Sequence, residues 1–401
     1  MTHRVAIVGA GPSGFYAADG LLRARSDLHI DIIDRLPTPY GLVRAGVAPD
    51  HQGTKAVVRQ FEKILAQPDV RFAGNVEIGR DLSWQELSVA YDAVIVATGM
   101  VIDRKLGVPG EALAHVWGSW RFVAWLNGHP DHRQGPDLSR VRTVAVIGNG
   151  NVALDVARLL AKSADEMAKS DIVAEAGAAI AAAPLADIHV IGRRGPEHAS
   201  FTNNELAEMG RLARAVAVTD AQSLAVAPPA SDQTPERLRK QKNLDILRGF
   251  AGRQVGEKPI AVHFLFNAAP VAIRPGELEL TTGKLPADLV VTCIGYGGEA
   301  FPKTPGMFAV GWAKRGPSGT IPTNRAESHA VAQQVLDWLE TRDPLSGPDI
   351  LPLAVDAAGW HRIDKHEIAA GAAAGRPRVK LTDWRTCWRS RKPAERSMLM
   401  H

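Results

Sequence analysis

Cysteine is almost missing from this chain. Among 401 residues only Cys293 and Cys387 occur, and they form no CxxC pair. Neither a disulfide framework nor a dithiol redox centre is therefore available, and the expected setting is a reducing cytoplasm, or an organelle after removal of a targeting segment. Also absent is any uninterrupted apolar run of about 18 residues, which argues against a membrane span. A leader is not expected either, because the apolar strand pattern Val5–Val8 begins directly after Met1-Thr-His-Arg. No strong excess of one charge is present. The net charge of +4 admits an acidic partner without demanding one. No platform of aromatics accompanies the basic residues, so nucleic-acid binding is not expected.

What is present is ordinary globular composition, 45% hydrophobic and 22% charged, in a chain long enough for two domains. Residues 4–9 (Arg-Val-Ala-Ile-Val-Gly) read as a buried strand, residues 14–25 as a helix after a glycine turn, and His29–Ile33 as a second strand. A further β-rich run is Tyr91–Thr98. The same grammar restarts at Val141–Gly148, continues into a helix from Val152 to about Lys162, and reaches another strand at Ile188–Ile191. Ala174–Ala183 reads as helix continuation or a surface loop, and residues 221–242 as a polar excursion ending in a basic helix. Strand-like runs follow at Ile260–Phe266 and Leu289–Ile294. Trp360, Trp384 and Trp388 suggest that the tail beyond Leu345 packs against the first domain.

Two glycine fingerprints carry chemistry. Gly9-Ala-Gly11-Pro-Ser-Gly14 lies between strand and helix, with Asp34 closing the next strand 20 residues past Gly14. Gly9 permits the turn, Gly11 lets a pyrophosphate approach the backbone, Gly14 allows close helix–strand packing, and the acid accepts ribose hydroxyl hydrogens. Gly148-Asn-Gly150-Asn-Val-Ala153 repeats the device 139 positions after Gly9, but its next strand ends in Gly192-Arg193-Arg194-Gly195 instead of an acid. Two guanidiniums there suit a ribose 2′-phosphate, which a carboxylate would repel. The 40 residues from Ala153 to Arg193 require an insertion. One chain with both sites needs two different dinucleotides, FAD at the first and NADP(H) at the second.

Longer signatures surround these fingerprints: Leu36-Pro-Thr-Pro-Tyr-Gly-Leu-Val-Arg-Ala-Gly-Val-Ala-Pro-Asp-His51, Gly148-Asn-Gly-Asn-Val-Ala-Leu-Asp155, Gly192-Arg-Arg-Gly-Pro196 and Gly311-Trp-Ala-Lys-Arg-Gly-Pro-Ser-Gly-Thr-Ile321. With them the chain resembles the adrenodoxin reductase family and its bacterial ferredoxin–NADP⁺ reductase relatives over nearly its whole length. The ending Gly371-Ala-Ala-Ala-Gly-Arg-Pro-Arg-Val-Lys380 is similar too. The resemblance implies an α/β fold of two Rossmann-like dinucleotide-binding domains, the second inserted into the first: 1–104 plus 296–401 for FAD, and 105–295 for NADP(H). It implies that Ser13, Asp34, Leu42 and Val76 contact FAD, with Trp312 and the backbone of Gly319, Thr320 and Ile321 beside the isoalloxazine. On the nicotinamide side it implies Asn149, Gly150, Asn151, Val152, Arg193, Arg194 and Glu205, with Gly319 touching both cofactors. His51, Asp155 and Glu205 match polar residues set near the flavin and nicotinamide. The chain departs from the family in carrying Asp34 where Glu is more usual, and in a much shorter stretch from Val271 to Met307. Val310-Gly-Trp312 stands where other flavoproteins carry Gly-Asp.

The activity so implied is a ferredoxin–NADP⁺ reductase: hydride passes from NADPH to FAD and single electrons to an acidic 2Fe-2S ferredoxin, feeding a cytochrome P450 or another oxygenase. A cytoplasmic monomer is expected, without a metal. Arg237, Arg239, Lys240 and Lys242 form the dense basic run that could steer the ferredoxin, or simply a solvated face. His51 is a proton-handling candidate or a loop-packing histidine, and Asp155 a functional group or a first-turn helix residue. Rival readings are a flavin subunit of a synthase, an NADPH monooxygenase, and a non-enzymatic redox-sensing binder. The first normally brings cysteine clusters that this sequence lacks.

Overall fold

The structure, a computed structural model, describes residues 2–229, 231, 233–256, 258–319 and 321–389. Its opening strand β1 (His3–Val8) carries apolar residues on both faces, as a central parallel strand must. A glycine turn leads into the helix Pro12–Ala24, which buries Phe15, Tyr16, Ala18 and Leu21, and the chain returns in β2 (Leu28–Asp34). β3 (Val70–Gly74) and β4 (Ala93–Val96) extend this sheet, with β1 parallel to both β2 and β4. Both expected strands, His29–Ile33 and Tyr91–Thr98, are thus present with shifted ends.

The chain then leaves through a short strand, β5 (Ile102–Asp103), and builds a second parallel sheet. Its strands are β6 (Val116–Gly118), β7 (Thr143–Ile147), β8 (Asp187–Ile191), β9 (Ala215–Thr219) and β10 (Ile260–Leu265). An antiparallel meander, β11 (Pro270–Arg274), β12 (Gly276–Leu280) and β13 (Gly283–Ala287), caps one face before β14 (Leu289–Thr292) enters the sheet beside β7. The order is β6-β14-β7-β8-β10-β9. Ala174–Ala182 forms a separate helix after Val173, not a continuation of the helix Asn151–Ala161. The polar excursion ends in the helix Thr234–Arg248.

β15 (Tyr296–Gly297) pairs antiparallel with β5, so the outgoing and returning chains run side by side. β16 (Met307–Ala309) then completes the first sheet in the order β16-β4-β1-β2-β3. The helix Ile321–Glu340 packs on Pro12–Ala24 so closely that a β-carbon at Gly20 would lie 2.8 Å from Ala332 Cβ. Two main cores result, one around β1–β4 and one around β7, β8 and β10. Ala48, from the first segment, belongs to the second core.

The tail does more than the sequence suggests. Trp360, in the helix Ala357–Ala373, is 1% exposed and meets Tyr40 edge-on at 5.5 Å. That is the expected packing on the first unit. The tail also reaches the second unit, because Lys380 Nζ donates to Asn127 Oδ1 at 2.9 Å and Trp384 Nε1 to Asp131 Oδ1 at 2.9 Å. No helix among the described residues is long and apolar enough to cross a membrane.

Candidate functional site

The first glycine turn divides its labour as the motif requires. Gly9 adopts φ +114°, and a β-carbon there would lie 2.4 Å from the Ala97 carbonyl oxygen. One at Gly14 would lie 2.1 Å from the Gly9 carbonyl oxygen. At Gly11 nothing stands within 4 Å, so the backbone is open to an approaching group. No side chain caps the helix that begins there, leaving its first N–H groups directed at that opening. Asp34 is engaged locally: Oδ2 accepts from Ala10 N at 2.7 Å and Oδ1 from Leu36 N at 2.8 Å. Burial raises its pKa, against those two hydrogen bonds. The short aspartate therefore braces the glycine turn, with only its remaining lone pairs free for a ribose.

The other residues expected at FAD divide into two groups. Ser13 lies under Gly311, where a β-carbon would sit 2.1 Å from Ser13 Oγ. Trp312 Nε1 donates to the Ser318 carbonyl at 3.0 Å, and its ring stacks on Tyr296 at 6.0 Å. Leu42 packs with Trp120, Ala45 and Tyr296. Gly319 is exposed with φ +80°, Ile321 leans on the first core, and Thr320 lies outside the described residues. Val76 is 1% exposed and packs with Val8 and Ile33, so its side chain is a core contact and its N–H donates to the Asp34 carbonyl at 3.0 Å.

At the second turn, a β-carbon on Gly148 would lie 2.3 Å from the Cys293 carbonyl oxygen. Gly150 opens the helix Asn151–Ala161 with no side-chain cap. Asn149 Oδ1 is buried with no partner, whereas Asn151 Oδ1 accepts from Thr202 N at 2.8 Å; Val152 follows on the first turn. Arg193 and Arg194 are both exposed just past β8, and among the described residues neither guanidinium has an ion-pair or hydrogen-bond partner. Unpaired planar donors beside an uncapped helix end are what a phosphate ester needs.

His51, Asp155 and Glu205 converge, with nitrogen and carboxylate oxygens all within 4.8 Å of one another. They come from three places: the end of the long first signature, the helix Asn151–Ala161 and the helix Asn203–Glu208. Burial pushes the Asp155 carboxyl up to about 7, against the pull of Arg158. Burial also raises Glu205, whose Oε2 has no partner. His51 is lowered by burial first and by the Arg158 charge second. A carboxyl titrating near neutrality beside a second raised carboxyl and an imidazole can hold and pass a proton. Arg158, Asp50 and Tyr296 were not singled out from sequence. Arg158 stands three residues past Asp155 and Asp50 lies inside the quoted signature, which is the signal that could have drawn attention to them.

The basic run divides between two faces of its helix. Arg237 and Lys242 are exposed. Arg239 Nη1 donates to the Phe201 carbonyl at 2.8 Å, while Lys240 is buried with Nζ 3.2 Å from Glu236. The expectation of a four-residue exposed run is corrected at Lys240, which is buried, while Arg239 is half-buried. The helical period turns Arg239 and Lys240 inward with Asn243.

Comparison with known proteins agrees with this geometry. Residues 3–194 match the pyridine nucleotide-disulphide oxidoreductase family. The chain is 37% identical to the NADPH-ferredoxin reductase FprA of Mycobacterium tuberculosis, over 94% of this chain and 96% of that protein. It is 32% identical to the mitochondrial NADPH:adrenodoxin oxidoreductase of Arabidopsis thaliana, over 95% and 93%. The structure of M. tuberculosis FprA in complex with NADPH superposes with a TM-score of 0.91 at 35% identity, covering 98% of this chain and all of that one. The chain belongs to the NADPH–ferredoxin and adrenodoxin reductase family, in the pyridine nucleotide-disulphide oxidoreductase fold.

Proposed function

We propose that this chain is an FAD-containing ferredoxin–NADP⁺ reductase, taking hydride from NADPH and reducing an acidic 2Fe-2S ferredoxin that supplies a cytochrome P450 or another oxygenase. The observation that carries the reading is the pairing within one chain of two glycine turns leading into uncapped helices, one backed by Asp34 and one followed by the unpaired Arg193 and Arg194. FAD fits the first turn, where Gly11 leaves the backbone bare and the helix end uncapped. Bound FAD supplies the change from a two-electron donor to one-electron acceptors. The chain's own residues do the rest. Residues 1–104 plus 296–401 hold FAD, and residues 105–295 hold NADP(H). Ser13, Leu42, Trp312 and the backbone of Gly319 and Ile321 would hold the flavin, and Asn149 to Val152 with Arg193 and Arg194 would orient the nicotinamide dinucleotide. Oxidising one NADPH by two one-electron acceptors leaves one proton, and His51, Asp155 and Glu205 are placed to carry it to water.

Arg237 and Lys242 are the exposed charges left for steering an acidic partner; reversing both to Glu should slow ferredoxin reduction chiefly at low salt and spare ferricyanide reduction. A cytoplasmic monomer suits this role. The purified protein should be yellow, bleach with NADPH and reduce cytochrome c only when ferredoxin is added. Colourless protein, or cytochrome reduction indifferent to ferredoxin, would overturn the reading.

A further inference from the structure

A fully buried guanidinium stands behind the proton-handling cluster. Arg158, in the helix Asn151–Ala161, is 0% exposed. Its Nε and Nη2 donate to the two oxygens of Asp50 at 2.9 and 3.0 Å, a bidentate fork across 108 residues of sequence. Nη2 also lies 2.8 Å from Asp155 Oδ1, and Nε lies 3.6 Å from Glu208 Oε2. Asp50 immediately precedes His51, whose ring nitrogens stand 3.9 Å from Asp155 and 3.9 Å from Glu208. One guanidinium thus connects the loop bearing His51 to the helix bearing Asp155. These elements belong to different halves of the molecule, and Ala48, in the same loop, inserts into the second core.

We propose that Arg158 is a positioning residue of this site: it fixes His51 against Asp155 and Glu205, and its charge keeps the half-buried Asp155 carboxylate able to take up and release the proton left by each NADPH oxidation. The proposal rests on the reductase reading above. The groups around Asp155 make the cation necessary. Glu205 faces it from the helix Asn203–Glu208, where Glu208 meets Arg158 and His51; Asp50 and His51 face it from the signature loop, and Cys293 and Tyr296 from the segment after β14. Lys162, the other cation here, stands on Asp50 at 2.6 Å and leaves Asp155 to Arg158. Without Arg158 the site would gather Asp50, Asp155, Glu205 and Glu208 with one ammonium at its edge, and like charges so close cannot all ionise. Asp155 would then hold its proton to higher pH, leaving less of the carboxylate free to accept one near neutrality.

The test is the pH dependence of NADPH–ferricyanide reduction by the flavin-loaded protein, from pH 5.5 to 9.5, in wild type and three variants. Asp155→Asn should abolish the limb near neutrality. Arg158→Gln should move it upward by about one pH unit or more, the scale expected for removing an adjacent opposite charge. Arg158→Lys retains charge but loses the fork, so its limb should stay near that of wild type while turnover falls as His51 loses its fixed position. Should Arg158→Gln fail to fold because Asp50 then keeps only Lys162, Arg158→Lys carries the test: an unmoved limb with reduced turnover supports the assignment, and turnover equal to wild type overturns it. An Arg158→Gln limb superimposable on wild type, an Asp155→Asn enzyme that retains the limb, or a flat wild-type profile would each overturn the assignment. Wild-type protein with no flavin or no NADPH-driven ferricyanide reduction would instead take down the parent reading, and this one with it.

Discussion

Lys55 and Lys380 share a single carboxylate, Asp171: Lys55 Nζ donates to Oδ1 at 2.7 Å and Oδ2 at 3.0 Å, and Lys380 Nζ stands 3.1 Å from Oδ2. Lys55 belongs to the first segment, Asp171 to the second unit and Lys380 to the tail, so three separate stretches of chain meet at one buried ion group. Burial works against the Asp171 anion, but the two ammoniums outweigh it and hold the carboxyl at about 2. Lys380 is pushed well below its usual range, by burial and then by Lys55. Asp171→Ala would leave two buried ammoniums without an anion and should lose on the order of 3–5 kcal/mol. Lys380→Met leaves Lys55 and Asp171 as a matched pair and should lose much less. Thermal unfolding of the two variants checks the ranking; equal losses would mean that the ion group does not join these segments.

Gly11 and Gly14 should separate binding from folding. A β-carbon at Gly14 collides with backbone, so Gly14→Ala should be poorly folded even without cofactor. Gly11 has φ −85° and empty space before it, so Gly11→Trp should fold, keep its far-ultraviolet dichroism and lose FAD, because the indole fills the pyrophosphate's place. A folded Gly11→Trp protein with a full complement of flavin would sink the assignment of the first turn.

The Asp155 carboxyl carries a pH-dependent stability term. Its folded value of about 7 lies above the unfolded value of about 3.9. Between these values the folded state binds a proton that the unfolded chain does not. The stability this confers is fully present below about pH 4 and is lost as pH rises through 7. Asp155→Asn, neutral at every pH, should therefore be more stable than wild type at pH 8, by roughly 4 kcal/mol at most, the Arg158 attraction being already part of the folded value. At pH 4 the advantage should vanish. Melting curves at the two pH values decide it, and an advantage independent of pH would contradict the assignment.

How much of this was legible beforehand follows from the range of each interaction. Glycine turns and strand periods are local, so both dinucleotide turns and their flanking strands could be read within a residue or two. Asp34 was recognised by its spacing, but its grip on Ala10 and Leu36 was not, because a strand-end acid can face either a ligand or its own loop. Arg158 is not legible in sequence, because its partner Asp50 is distant along the chain and an arginine within an apolar helix gives no sign of its direction. The basic run was read as one face because density in sequence is not adjacency on a helix. The tail's second anchor at Asp171 depends on how two domains meet, which no local pattern encodes.

Arg193 and Arg194 give the test of dinucleotide choice. Both guanidiniums are exposed and unpaired among the described residues, so neither has a structural duty whose loss would confuse the result. Charge-assisted hydrogen bonds to a phosphate are worth roughly 1.5–3 kcal/mol each. Replacing both residues with Ala should therefore weaken NADPH by on the order of a hundredfold or more, allowing for non-additivity. NADH lacks the 2′-phosphate and should change little, so the two dinucleotides would converge. Because these contacts lie at the far end of the dinucleotide from the hydride, they contribute equally to ground and transition states, and KM should rise more than kcat falls. Steady-state diaphorase kinetics with both dinucleotides, on wild type and the double variant, supply the comparison. If wild type shows no preference for NADPH, or the double variant retains one, the arginines are surface charges and the phosphate is read elsewhere.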